Sequence, residues 1–169
     1  MKARKATHVD ADAIYRLIAG YAEDGLLLPR KREEIARNIS NFLVLINKGS
    51  VAGCVALESY GPDLAEIRSL AISPEIRGHG LGARLTKFAI KEARRRRIAR
   101  LFAVTGAPEF FVRQGFGPAS RQSLTEKIER DCRACPKRRS CKLVAVVANV
   151  LPSTLALPIS NDSLVTVQA

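Results

Sequence analysis

The sequence predicts an α+β domain, and three observations carry that prediction. Strand-like apolar segments and amphipathic helical segments follow one another in the order β-α-α-β-β-β-α-β-α-β. The three consecutive strands form a meander, which a doubly wound parallel sheet does not contain. A glycine-rich stretch, Ser73-Pro74-Glu75-Ile76-Arg77-Gly78-His79-Gly80-Leu81-Gly82-Ala83, stands between the last of these strands and a long helix.

Each element has its own signal. Ala3–Thr7 reads as a short first strand. His8 to Asp12 supplies caps for a helix through about Ala22, with Ile14, Leu17, Ile18 and Tyr21 on one face. The loop Glu23–Arg30 leads to a second helix that starts at Lys31. Phe42–Ile46 and Val51–Tyr60 are strands joined by the turn Asn47-Lys48-Gly49. Gly61-Pro62-Asp63 turns the chain into the strand Leu64–Ile72, which feeds the glycine stretch. A helix over Leu81–Ala93, a strand over Leu101–Val104 and a short helix from Pro108 to Gln114 follow. Ser123–Arg130 is a short helix or loop, and Leu143–Val150 is the last clear strand. These segments form one domain over residues 1–150. A tail over residues 151–169 is left as either an extra strand or disordered chain.

Composition excludes some functions. Of 169 residues, 28 are Lys or Arg and 16 are Asp or Glu, a net charge of +12 that suits acidic partners. Aromatic residues make up only 5%, with no platform on which bases would stack, so nucleic acid is not the expected partner. The run Arg94-Arg95-Arg96-Arg97 closes a helix, where cations complement the negative end of the dipole. No apolar run reaches the roughly 18–20 residues of a membrane span, and no apolar segment follows the charged N-terminus. A cytoplasmic protein without a membrane partner is expected.

The glycine stretch points to anion binding. Gly78, Gly80 and Gly82 permit a tight turn and leave backbone N–H groups uncovered at the positive end of the following helix. Arg77 adds a fixed charge. A dinucleotide fingerprint would need G-x-G-x-x-G and an acidic residue about 20 positions later, and an NTPase loop would need G-x-x-x-x-G-K-[ST]. Neither string occurs. The string that does occur, Arg77-Gly78-His79-Gly80-Leu81-Gly82 behind the strand Ala65–Ile72, resembles the coenzyme A pyrophosphate loop of the GCN5-related N-acetyltransferases (GNAT). Glu109-Phe110-Phe111-Val112-Arg113-Gln114-Gly115-Phe116 is similar to that family's later helix and its Gly-Phe ending. Further strings resemble the acetyltransferase domain of N-acetylglutamate synthases: Gly25-Leu26-Leu27-Leu28-Pro29-Arg30, Gly53-Cys54-Val55-Ala56-Leu57, Arg100 to Thr105, and Arg138-Arg139-Ser140-Cys141-Lys142-Leu143. The chain looks like a short, stand-alone form without the arginine-binding kinase-like domain.

The resemblance implies a mixed, mostly antiparallel sheet with flanking helices and a V-shaped splay between its two central strands. It implies acetyl-CoA as cofactor, held by Arg77, Gly78, His79, Gly80, Leu81, Gly82 and Ala83 and by the strand-edge groups of Leu70, Ala71 and Ile72. It also implies an amino-acid substrate, most simply glutamate, acetylated on its α-amine at the first step of arginine biosynthesis. Glu66 is the candidate base, directly or through a water, because a protonated amine is no nucleophile. Period two also sets Glu66 beside Arg68, so a plain ion pair is the alternative. Arg30, Arg68, Arg138 and Ser140 are candidates for holding the substrate carboxylates.

Two residues depart from the family pattern. Many relatives carry a Tyr in the short helix where this chain has Phe111, which leaves Tyr60, Tyr21 or no dedicated acid for the leaving thiolate. Glu58 stands where the long enzymes supply a Lys. Cys132, Cys135 and Cys141 form C-x2-C-x5-C, with Cys54 elsewhere; free thiols, a disulfide and a zinc site are the options, and no metal is assigned. Two other functions stay open: another amine acceptor in the same fold, or a non-catalytic acetyl-CoA-binding or zinc-stabilised interaction module. A homodimer would suit an exposed last strand, by analogy with the family.

Overall fold

The structure is a computed structural model that describes residues 1–136 and 138–151. Seven strands form one sheet: β1 (Lys2–Lys5), β2 (Phe42–Asn47), β3 (Ser50–Ser59), β4 (Leu64–Ile72), β5 (Arg100–Thr105), β6 (Gly117–Ala119) and β7 (Val144–Asn149), in the order β1-β2-β3-β4-β5-β7-β6. Every neighbouring pair is antiparallel except β4 and β5, which run parallel. The α+β class and the mixed, mostly antiparallel sheet with flanking helices are therefore present. The crossover between the parallel pair is α3 (Leu81–Arg95). The other helices are α1 (Ala11–Glu23), α2 (Arg32–Arg37), α4 (Pro108–Val112) and α5 (Thr125–Lys127), the last running on as a π-turn over Ile128–Cys132.

Period two sorts the strand residues between two layers. Leu43, Leu45, Val55, Leu57 and Ile67 meet Leu81, Leu85, Ala89 and Ala93 of α3. Their neighbours Phe42, Val44, Cys54 and Ala56 meet Ile14 and Ile18 of α1 and Ile35 of α2. Covered on both faces, the central strands read as continuous apolar runs. A third, smaller cluster of Tyr60, Leu64, Phe102, Leu124 and Ala145 lies under α5.

The start of α1 is fixed by Asp10, whose carboxylate accepts the Thr7 N–H at 2.8 Å and both arms of Arg4, at 2.7 and 2.9 Å. The basic end of α3 is also structural. Buried Glu92 takes Arg95 and Arg96, each at 2.8 Å, and Lys5 of β1 at 3.1 Å, while Arg94 donates to the Val150 carbonyl at 2.7 Å.

Most expected boundaries fall within one or two residues of the observed ones. Strand β6 was not expected: Gly117-Pro118-Ala119 has no alternating pattern and forms only as an edge against β7. Of the expected tail over residues 151–169, positions 152–169 lie outside the described residues.

Candidate active site

The site begins where β4 and β5 part. The parallel register runs through Leu64↔Arg100, Ala65↔Leu101 and Glu66↔Phe102 and no further. Beyond Glu66, β4 keeps its pairing with β3, Cys54↔Ala71 and Gly53↔Ile72, while β5 past Phe102 is paired with β7 alone. The V-shaped splay is thus present. Between Arg68 and Ala71, β4 carries one residue more than β3, and Ser69 takes a left-handed φ of 53°. Such a bulge bends a strand and raises its twist, which favours divergence here.

The gap opens into a cleft of about 790 Å³. Ile67 to Leu70 and Ile72 line one wall, Ala103 to Ala107 the other, and residues of the glycine stretch, Phe110 and Leu143 the mouth. The Ser73 N–H donates to the Ala52 carbonyl at 2.8 Å, so the alternation of the ladder turns Ala71 toward β3 and Ile72 toward the open edge. Ala71 therefore offers its backbone to β3 rather than to the cleft. Ile72 already has a partner: the Tyr21 hydroxyl donates to its carbonyl at 2.6 Å.

At the mouth, Gly78 and Gly80 have φ of 84° and 69°, values that need glycine. The first helical bond of α3 runs from Arg84 N–H to the Gly80 carbonyl at 3.0 Å, which leaves the N–H groups of Leu81, Gly82 and Ala83 as orphan donors of the first turn. His79 is exposed and donates Nδ1–H to the Arg77 carbonyl at 2.9 Å, bracing the loop from within. The Arg77 guanidinium lies 4.5 Å above the Tyr21 ring.

Glu66 marks the fork, with only 3% of its surface exposed. Its Oε2 accepts from Lys127 Nζ and from the Tyr60 hydroxyl, each at 2.9 Å, and Arg68 stands 3.6 Å away. Lys127 also reaches Asp131 at 2.6 Å, and the Tyr60 hydroxyl bonds Asp131 as well. Burial pushes the Glu66 pKa up and outweighs the opposing pull of Lys127 and Tyr60. For half-exposed Asp131 the balance reverses: burial raises its pKa, but the bonds from Lys127 and Tyr60 hold it below the usual carboxylate range.

A strand edge beside an uncovered helix N-terminus suits an extended ligand with a pyrophosphate. Residues 11–116 match the acetyltransferase (GNAT) family.

The chain belongs to the GNAT acetyltransferase family. It is 40% identical over 144 residues to an uncharacterised N-acetyltransferase of Chlorobaculum tepidum, covering 85% of this chain and 93% of that one. It is 39% identical over 133 residues to the amino-acid acetyltransferase of Neisseria meningitidis, covering 78% of this chain and 30% of that protein. Among solved structures, N-acetylglutamate synthase from Neisseria gonorrhoeae, complexed with coenzyme A and N-acetyl-glutamate, superposes with a TM-score of 0.81 at 34% identity. That match covers 89% of this chain and 35% of the synthase. The chain thus spans about a third of the length of the Neisseria relatives. Rv2747 from Mycobacterium tuberculosis, in complex with CoA, superposes with a TM-score of 0.75 at 25% identity, covering 89% of this chain and all of that one.

The GNAT cleft gathers some expected site residues and not others. Leu70, Ile72, Arg77, Gly78, Gly80, Leu81, Gly82, Ala83 and Arg68 line it. Arg30 pairs with Glu34 at 2.5 Å in a small side pocket that shares Arg68 and Ser69 with the cleft. Arg138 and Ser140 form an exposed turn ahead of Leu143 and do not line the cleft themselves. Among the described residues no group of three or more His, Cys, Asp or Glu side chains could hold a metal, and the four cysteines are free thiols. No described helix is long and apolar enough to cross a membrane. Lys127 and Asp131 were not singled out from sequence; their i,i+4 spacing was the available signal, but nothing in it names Glu66 as the third member.

Proposed function

We propose that this chain is an acetyl-CoA-dependent amino-acid N-acetyltransferase that acetylates the α-amine of L-glutamate, the first step of arginine biosynthesis, in the cytoplasm. The observation that carries the reading is the position of Arg68. Arg68 lines the cleft, and its guanidinium is only loosely engaged, by Glu66 and Asp131 at 3.6 Å each and by the Tyr60 hydroxyl at 3.4 Å, which suits it to take a carboxylate. The likeness to proteins named amino-acid acetyltransferases supports an amino acid as the acceptor.

The loop donors of residues 81–83 and Arg77 suit the pyrophosphate, and the outward edge of β4 at Leu70 suits a pantetheine amide. Acetyl-CoA supplies the acetyl group; the new bond joins the acceptor nitrogen to the acetyl carbon, and the carbon–sulfur bond breaks. Glu66 takes the proton lost by the acceptor ammonium through a water, its raised pKa bringing it toward the pH at which a base works best. Phe111 has no proton to give the departing sulfur. A thiol pKa of about 8.5 makes CoA a good enough leaving group without a dedicated acid.

One observation favours a second acceptor. Arg30 and Arg68 share the side pocket with Glu34 and Glu58, so its charges balance. A neutral amide side chain, as in glutamine, fits that balance better than a second carboxylate. Thiol release from acetyl-CoA against glutamate, glutamine and aspartate tests both readings. Turnover on glutamate that falls at least tenfold in Arg68→Met supports the first. A preference for glutamine selects the second, and acetyl-CoA binding without turnover on any amino acid defeats both.

A further inference from the structure

The buried cluster around Glu66 is built more elaborately than an ion pair requires. Five side chains from four segments converge there: Glu66 and Arg68 on β4, Tyr60 just after β3, Lys127 on α5 and Asp131 on the π-turn. One layer out, Arg130 stacks 3.7 Å above the Tyr60 ring and pairs with Glu58, which faces Glu66 across the β3–β4 register.

The bonds on the two oxygens of Glu66 are unequal. Lys127 and Tyr60 both donate to Oε2, and Arg68 also approaches that atom. Oε1 takes no hydrogen bond from the described residues. Oε2 is the anchored oxygen, and Oε1 is the one left to receive a proton.

Donor counting shows which residue maintains this state. Tyr60 has a single hydroxyl proton, yet its oxygen lies within bonding distance of both Glu66 and Asp131. It can donate to only one of them at a time. Lys127 has three ammonium protons and three acceptors in reach: Asp131 at 2.6 Å, Glu66 at 2.9 Å and the Tyr60 oxygen at 3.1 Å. It alone hydrogen-bonds both carboxylates at once; Arg68 stands 3.6 Å from each, and of the two Arg130 reaches only Asp131, at 3.3 Å. Without Lys127, Glu66 keeps only the shared phenol proton and the more distant Arg68 charge, and a buried carboxylate with that little compensation takes up a proton. Glu66 is the more deeply buried acid and would take it.

We infer that Lys127 is a positioning residue for acetyl transfer: bonded to Oε2, it keeps Glu66 ionised and leaves Oε1 as the proton acceptor. The inference rests on the reading of Glu66 as the base. It gives the segment Thr125–Cys132 a part in the reaction although none of its residues lines the cleft.

The test is the pH dependence of kcat/KM for the amino-acid acceptor in the full chain, with acetyl-CoA saturating, for wild type and four variants. Glu66→Gln identifies the acid limb that belongs to Glu66, because that limb disappears. Lys127→Met moves this limb up by about one to two pH units, so that the rate on the acid side of the limb falls about ten- to a hundredfold and recovers as pH rises. Lys127→Arg, which keeps the charge, restores most of the wild-type profile. Asp131→Asn, which removes the neighbouring negative charge, moves the limb down, and this opposite sign keeps the test decisive should Lys127→Met fail to fold. A uniform loss in Lys127→Met with the limb unmoved, or an unmoved limb in Asp131→Asn, overturns the inference while leaving the base reading intact. A Glu66→Gln protein that keeps both its rate and its acid limb overturns the base reading itself.

Discussion

Gly82 separates what the glycine stretch does for folding from what it does for binding. It lies on the second position of α3 and has no positive φ, unlike Gly78 and Gly80. A Cβ built there meets only the Phe110 ring, at 3.4 and 3.5 Å, an ordinary contact. In Gly82→Ala the folded state therefore gains helix propensity without a clash. Up to about 1 kcal/mol is available from this exchange in a helix interior, and about half of that near an end. For a chain of this size, 0.5–1 kcal/mol corresponds to a rise in Tm of roughly 1–4 °C. The same methyl stands on the wall of the cleft beside Phe110, in the space that acetyl-CoA would occupy. A methyl forced into an occupied contact costs about 1–3 kcal/mol, a weakening of roughly 5- to 150-fold. Thermal unfolding and titration calorimetry with acetyl-CoA read the two effects on one protein. Gly80→Ala is the control: its Cβ meets nothing within 4 Å, but a φ of 69° penalises alanine by about 1 kcal/mol, so its Tm falls. A Gly82→Ala protein with a raised Tm and unchanged acetyl-CoA affinity would refute the placement of the cofactor against this turn.

Other expectations follow from charges and thiols. Arg4 and the Thr7 N–H hold Asp10 down at about 2, against 3.8 unperturbed, so its contribution to stability is complete above about pH 4 and is lost as pH falls through about 2. Allowing for the half-exposed Arg4, Asp10→Asn costs about 1–2 kcal/mol in urea unfolding at pH 6, and the difference from wild type closes toward pH 2. Glu92→Gln disperses three cations gathered on one buried carboxylate and costs about 1–3 kcal/mol, with no change in acetyl-CoA affinity. Burial pushes the Cys54 thiol up to about 12, so native protein leaves it unlabelled by iodoacetamide at pH 7.5. Burial also acts to raise the Cys141 pKa, but the Leu143 N–H and Arg121 outweigh it, and Cys141 alkylates faster than an unperturbed thiol.

The glycine stretch, the meander and the Gly-Phe ending were legible because each depends on neighbours in sequence. A φ of 84° at Gly78 is demanded by the local turn, and glycine advertises it. The residues around Glu66 were only half legible. Period two set Glu66 beside Arg68, and the weak 3.6 Å pairing follows from that, but the two bonds that fix the carboxylate come from Tyr60 and from Lys127, 61 positions further along. No periodicity joins a strand to a helical turn at that separation. Ser69 is the other gap: nothing in Arg68-Ser69-Leu70 marks a left-handed serine, because the bulge exists only in the register of β4 against β3. The run Arg94–Arg97 was read correctly as a helix end, yet Glu92, which gathers Arg95, Arg96 and Lys5, was hidden among ordinary helical charges.

The sheet has seven strands in one connected order, but it is not equally bonded along its width. Three register pairs join β4 to β5, against six between β5 and β7 and six between β2 and β3. The expectation is that the two sides of this seam open separately, so that amide exchange in the free protein shows two protection classes that meet at Glu66 and Phe102. A ligand lying in the gap and bonded to the open edge would act as an added strand and merge the two classes. A fork that admits acetyl-CoA, as proposed, would then also make the protein's mechanical unity depend on having it bound.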